Sequence, residues 1–313
     1  DWEGKQELDA PTVVPTPTTS ISGIPGSAGM LGEFPVWATV DLDAVAHNVA
    51  AMARHVGERV IVMAVVKANA YGHGLKEVVQ ITRDLPFIEY YAVDSLTEAL
   101  IVKVMAGDKK VLVVGWVDDS ELEELIRSRI EMVVPSFDYW KKVQAVSKKL
   151  KMDARVHLKL DTGTSRLGMD SAQILDIFNL PKDTQPEIAG MYSHFANIED
   201  TTDHSYARKQ LALFNDLLDR IEAKNILKHF SCSASALLFP ETYFDLVRVG
   251  ISAYGYWPSK RTYISYIEKN KKPIELKPVL SWLSKVAQIK HFEKGKPIGY
   301  GLTYQTFSKS RII

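Results

Sequence analysis

Lys67 ends an uninterrupted apolar run, VIVMAVVK, and stands ahead of a loop, ANAYGHG, that holds two glycines, an asparagine and a tyrosine. An ammonium group behind a buried strand must be paired, deprotonated or used covalently, because leaving it unpaired in apolar surroundings costs several kcal/mol. Other polar residues end or follow apolar runs in the same way. They are Lys159 and Arg166 in LKLDTGTSRLG, His194 in MYSHFAN, Cys232 and Ser233 in HFSCSAS, and Arg248 ahead of Gly250 and Ile251 in VRVGIS. An amine in such company suits catalysis by imine formation, either with a substrate carbonyl, as in a class I aldolase, or with pyridoxal phosphate. The Ser233 hydroxyl, the backbone N–H groups near Gly250 and Ile251 and the phenol of Tyr71 together offer donors for a phosphate, which favours the cofactor.

Those residues need elements that bring them to one place. Short apolar, β-rich runs recur at 60–66, 90–93, 111–115, 131–134, 155–160, 188–193, 228–231 and 244–250, with amphipathic stretches such as SFDYWKKVQAVSKKL and YARKQLALFNDLLDRIEAK between them. Strands alternating with helices imply βαβ units, and eight of them predict a closed (β/α)8 TIM barrel of the α/β class rather than an open doubly wound sheet. In such a barrel, chemistry sits at the C-terminal ends of the strands, where all the polar residues above fall.

Three segments are expected. Residues 1–32 form a Pro/Thr/Ser-rich flexible leader or linker, 33–260 the barrel, and 261–313 the start of a second, all-β domain. In the first barrel helix, Asp41 or Asp43 is suited to cap a stretch whose Val45, Val49, Met52 and Val56 recur at helical spacing. The stretch from about 275, KPVLSWLSKVAQIKHFEKGKPIGYGLTYQTF, alternates with period two but is too short to close a β barrel, so the chain is expected to stop within that domain. Its start at Asp1 rather than methionine is that expected of a fragment or a processed product.

Composition bounds the partners. Of 313 residues 46% are hydrophobic, and Lys plus Arg balance Asp plus Glu at 38 each, so no bulk charge draws the chain to nucleic acid or to an anionic membrane. The expected partners are small molecules or other proteins. The single cysteine, Cys232, excludes an intrachain disulfide and any cysteine-built metal cluster, and it fits the cytoplasm. Neither a signal peptide nor an apolar run of membrane-spanning length is visible.

Taken in order, AVVKANAYGHG, LKLDTGTSRLG, MYSHFAN, SASALLFP, VRVGISAYG and IGYGLTY resemble the motifs of the alanine racemases, over a span from about residue 36 to about 307. The resemblance implies a pyridoxal phosphate enzyme that interconverts L- and D-alanine, supplies D-alanine for peptidoglycan and works as a homodimer with shared active sites. By it, Lys67 holds the cofactor as an imine and acts as one acid/base group, and Tyr300 of the partner subunit acts on the opposite face. Tyr71, Ser233, Gly250 and Ile251 would hold the phosphate. Arg248 would face the pyridine nitrogen, and His194 would link Arg248 to that tyrosine. Arg166 would contact the phenolic oxygen and the substrate side, and Lys159 matches a lysine that is carbamylated in many members. The sequence departs from the family where Cys232 stands for a common asparagine and where Thr164 and Ser165 replace a common Met-Gly pair. Two other readings are a serine racemase of the same family and a non-catalytic PLP-binding homeostasis barrel, which lacks the β domain and its tyrosine. With part of the β domain absent, the chain as it stands is expected to turn over weakly.

Overall fold

The computed structural model describes residues 35–181, 186–199, 202–221, 225–270 and 272–313. The leader expected over 1–32 lies outside them. Two compact units are present: 40–281 and, among the described residues, 35–39 together with 282–313.

Strand β1 (Val36–Val40) precedes helix α1 (Leu42–Val56). The first unit then alternates β2 (Ile61–Val65), α2 (Leu75–Thr82), β3 (Ile88–Val93), α3 (Leu96–Met105), β4 (Lys110–Val113), α4 (Leu122–Arg127) and β5 (Glu131–Val134). It continues with α5 (Phe137–Leu150), β6 (Arg155–Lys159), α6 (Ser171–Phe178), β7 (Glu187–Tyr192), α7 (Ser205–Arg220), β8 (Leu227–His229), α8 (Ser233–Leu238), β9 (Leu246–Val249) and α9 (Lys260–Asn270). The eight strands from β2 to β9 pair in parallel, in the order β8-β7-β6-β5-β4-β3-β2-β9. The free edges meet, because Asp245 donates its backbone N–H to the Lys228 carbonyl at 3.1 Å and Arg248 donates to Ser231 at 3.2 Å. The result is the TIM barrel expected from the alternating runs, and each of the eight runs overlaps one of its strands.

Alternation along each strand separates two cores. On β2, Val62 and Ala64 face the helices, whereas Met63 joins Tyr90, Ala92, Leu112, Val133, Tyr192 and Leu246 in the barrel interior. Outside, α1 shows the helical spacing read from the sequence: Val45, Val49, Met52 and Val56 are all buried, and Asp41 caps the helix by accepting from Ala44 N at 2.9 Å.

The first unit runs past residue 260, where the sequence pattern placed the end of the barrel. Tyr266 of α9 and Val279 both belong to the outer core. The buried side chain of Asn48 on α1 ties this segment down: its Nδ2 donates to Ala253 O at 3.2 Å and to Lys277 O at 2.8 Å, and its Oδ1 accepts from Lys277 N at 2.7 Å. Asp41 N then donates to Val279 O at 2.9 Å. A contact between residues 48 and 277 has no local signature, which is why periodicity could not place the boundary.

The second unit is all-β in its described residues. β10 (Leu280–Ser284), which pairs with β1, leads into it. β11 (Lys290–Phe292) pairs antiparallel with β14 (Ser310–Ile312), and β12 (Pro297–Ile298) with β13 (Tyr304–Gln305). Buried Thr306 braces the inner hairpin by accepting from Lys296 N at 3.0 Å and donating to Glu293 O at 2.8 Å.

The Asn48 tie is testable. Asn48→Leu removes its hydrogen bonds and leaves Lys277 N and O without their partner, at a cost of about 2–4 kcal/mol. Urea unfolding should show the lower midpoint, with faster amide exchange at Lys277 and Val279; an unchanged midpoint would show that the tie carries no weight.

Candidate active site

Lys67 follows β2 at the C-terminal mouth of the barrel, and its charge is paired there: Nζ lies 3.8 Å from Oδ1 of Asp94, just after β3. The chain then makes a left-handed turn, with Ala68, Asn69, Ala70 and Tyr71 all at φ between 53° and 56°. Each non-glycine residue in that region costs about 1–2 kcal/mol, so the turn must be held from outside. Glu98 accepts from Asn69 N at 2.8 Å and from Asp94 N at 3.1 Å, and Asn69 Oδ1 accepts from Leu75 N at the start of α2 at 2.9 Å. Tyr254 donates to Val65 O at 3.0 Å, and its ring packs 4.9 Å from that of Tyr71. The strained turn carries Lys67 at one end and Tyr71 at the other, and both line one cavity of about 640 Å³.

On the opposite wall, β6 delivers Lys159. It is buried, and desolvation followed by the Arg166 and Arg248 charges pushes its pKa down to about 8. The loop after it folds around Asp161, whose Oδ1 accepts from Gly163 N at 2.9 Å and Ser165 N at 3.1 Å. That loop sets Arg166 on the cavity wall. His194, beyond β7, also lines it, and its pKa is pushed down to about 3 by burial and by the neighbouring cations, so the ring is neutral.

Arg248 on β9 is 6% exposed and closes the cavity floor. Its Nη1 donates to His229 Nδ1 at 2.9 Å and His229 O at 3.0 Å, and its Nη2 to Ser193 O and Phe230 O, both at 2.9 Å, and to His194 Nδ1 at 3.1 Å. Among the described residues the Nε–H has no protein acceptor. Beside it, Ser233 Oγ accepts from Gly250 N at 3.1 Å, leaving its own hydrogen free to donate. A Cβ on Gly250 would stand 2.7 Å from Tyr71 Oη, so only glycine lets backbone and phenol close into a cradle here. Ile251 opens a 3-10 turn, in which its N–H has no acceptor. An amine, a phosphate-sized ring of donors and an unspent guanidinium N–H share one cavity, a set that fits pyridoxal phosphate.

The structure thus brings together nine of the ten residues to which the sequence reading gives a role in the site: Lys67, Tyr71, Lys159, Arg166, His194, Ser233, Arg248, Gly250 and Ile251. Tyr300 belongs to the other unit and is fully exposed. Cys232 lines the cavity, but burial and the Glu199 carboxylate, 3.6 Å from Sγ, push its thiol up, which makes it inert as a nucleophile. Asp94, Glu98, His229 and Tyr192 were not legible as site residues. The last two share the inward phase of their strands with His194 and Arg248, and that phase was the available signal.

Comparison with known proteins agrees with this geometry. Residues 40–258 match the family model "Alanine racemase, N-terminal domain". An alanine racemase of Methanococcus maripaludis is 34% identical over 283 residues, 89% of this chain and 74% of the relative, and one of Clostridium tetani is 35% identical over 89% and 70%. Among solved structures, the alanine racemase of Streptomyces lavendulae superposes with a TM-score of 0.77 at 29% identity, covering 88% of this chain and 72% of that one. That of Bartonella henselae, which carries covalently bound pyridoxal phosphate, has a TM-score of 0.75 at 28% identity, over 89% and 74%. By sequence and by fold, the chain belongs to the alanine racemase family.

Proposed function

We propose that this chain interconverts L- and D-alanine with pyridoxal phosphate held at the mouth of its barrel. The observation that carries the reading is the convergence of the Lys67 amine, the Tyr71, Ser233 and Gly250 cradle and the Arg248 guanidinium on one cavity, in a member of the alanine racemase family. When bound, the cofactor supplies an electron sink that allows a proton to leave the α-carbon of an amino acid. Lys67 holds it through its amine and exchanges the proton on one face. Tyr71, the Ser233 hydroxyl and the Ile251 N–H, with Gly250 leaving room beside them, would hold the phosphate, and Arg248 would present its Nε–H to the ring.

Racemisation needs a second acid/base group on the opposite face, a role we assign to Tyr300 of the partner subunit in a homodimer. His194 supports that assignment. Its Nδ1 accepts from Arg248, so its hydrogen sits on Nε2, a donor suited to stabilise a phenolate. Arg166 orients the substrate side, Lys159 beside it is a site for carbamylation, and residues 282–313 belong to the second unit, which carries Tyr300. Cytoplasmic supply of D-alanine to the cell wall is the role that follows.

Three outcomes test this reading. Borohydride reduction of the cofactor-loaded protein should fix the label on a peptide containing Lys67, and Lys67→Ala should lower turnover by roughly 10²–10⁴-fold; label on another lysine would refute the assignment. Tyr300→Phe should impair solvent-deuterium exchange far more from one enantiomer than from the other, and equal exchange from both would favour a single base. Lys159 gains free amine as pH rises through about 8, so a ¹³C carbamate resonance from labelled bicarbonate should grow from about pH 7 to about pH 9 and be missing in Lys159→Ala.

A further inference from the structure

Arg248 is the upper end of a buried polar chain that runs down the barrel interior and that the racemisation reading does not use. His229, which accepts from Arg248 through Nδ1, lies with Nε2 at 2.8 Å from His157 Nδ1. His157 Nε2 is 2.8 Å from Glu131 Oε2, and Glu131 Oε1 accepts from Arg155 Nε at 2.9 Å. Arg155, at the opposite end of the barrel from Lys159, also pairs with Glu187. His157 and His229 are fully buried, and Glu131 is 2% exposed.

Counting donors fixes every proton in this chain. Arginine only donates, so His229 Nδ1 is bare and its hydrogen is on Nε2. That hydrogen needs an acceptor, which makes His157 Nδ1 bare and puts the second hydrogen on His157 Nε2, facing Glu131. The carboxylate accepts from both neighbours, and the His157 N–H and the Arg155 guanidinium hold it ionised against burial. An added proton would set two N–H groups face to face.

The packing is built for these rings. A Cβ on Gly190 would stand 2.4 Å from His157 Nδ1, the atom that accepts from His229. Tyr192 stacks on His229 at 4.8 Å, and Tyr90 presents its edge to His157 at 6.1 Å. Among the described residues, the other ionisable groups facing the interior include the Tyr90 phenol beside Glu131, the Tyr192 phenol, Lys159 over the Tyr192 ring and Lys110 over the Tyr90 ring.

We propose that Glu131 and His157 are positioning residues for Arg248: they hold His229 as a neutral Nε2–H ring whose Nδ1 anchors the guanidinium, so that its Nε–H is kept for the cavity. The consequence for catalysis rests on the role assigned to Arg248 beside the cofactor; the proton order does not.

Ring ¹⁵N spectra of the full chain, with and without pyridoxal phosphate, test the relay. His157 and His229 should each show one neutral Nε2–H tautomer. Glu131→Leu should leave His229 in mixed tautomers, speed exchange of the Arg248 Nη hydrogens at least about tenfold and weaken cofactor affinity by a similar factor. An Nδ1–H tautomer or an imidazolium on either ring of the native protein overturns the proposal, as do unchanged His229 and Arg248 signals in the variant. If Glu131→Leu does not fold, the native spectra decide alone. Failure of cofactor binding with the native tautomers intact would strike the functional reading and leave the relay standing.

Discussion

A buried guanidinium organises this protein. Moving the Arg248 charge out of water is costly unless its N–H groups are met, and the barrel meets both Nη groups with three backbone carbonyls and two imidazoles from β8 and the residues just after β7 and β8, leaving the Nε–H to the cavity. That requirement divides the interior. Strands β2 to β4 contribute Met63, Tyr90, Ala92 and Leu112, a mainly apolar filling, whereas β5 to β9 set Glu131, His157, Lys159, His229 and Arg248 among Val133, Tyr192 and Leu246. Shape packs the whole interior, and matched donors and acceptors are added in one half of it.

The mouth combines two kinds of rigidity. Arg248 is fixed by hydrogen bonds whose partners are themselves fixed. Lys67 and Tyr71 are fixed by a backbone conformation that their residue types disfavour, which persists because Glu98 and Asn69 hold the turn from the α3 and α2 sides. The partial exposure of Lys67 and its long contact with Asp94 leave the amine reachable, unlike a core ion pair that must be broken before it can react.

Much of this was visible in the sequence, for definable reasons. The strands were legible because β-branched runs bounded by polar breaks repeat at regular intervals, and the cavity residues because each one ends or follows such a run. The left-handed turn was not: ANAY contains no residue type that demands positive φ, and only Gly72 and Gly74 hint at a change of hand. The Glu131, His157 and His229 chain escaped notice because EMVV, RVHLKL and KHFS read as plain strands, and only the phase of their alternation shows that the polar residues point inward. The end of the first unit at Ser281 was hidden by the long sequence distance between Asn48 and its partners.

The bond from Asp41 N to Val279 O has a consequence for chain topology. The barrel unit begins and ends at the same spot, so it is closed as a chain as well as a sheet, and its connectivity could be cut elsewhere at little cost. A few linking residues between 281 and 40, with new termini in an exposed helix-to-strand connection such as that around Gly107, would give a circular permutant that keeps every strand pairing of the barrel and every residue of its cavity.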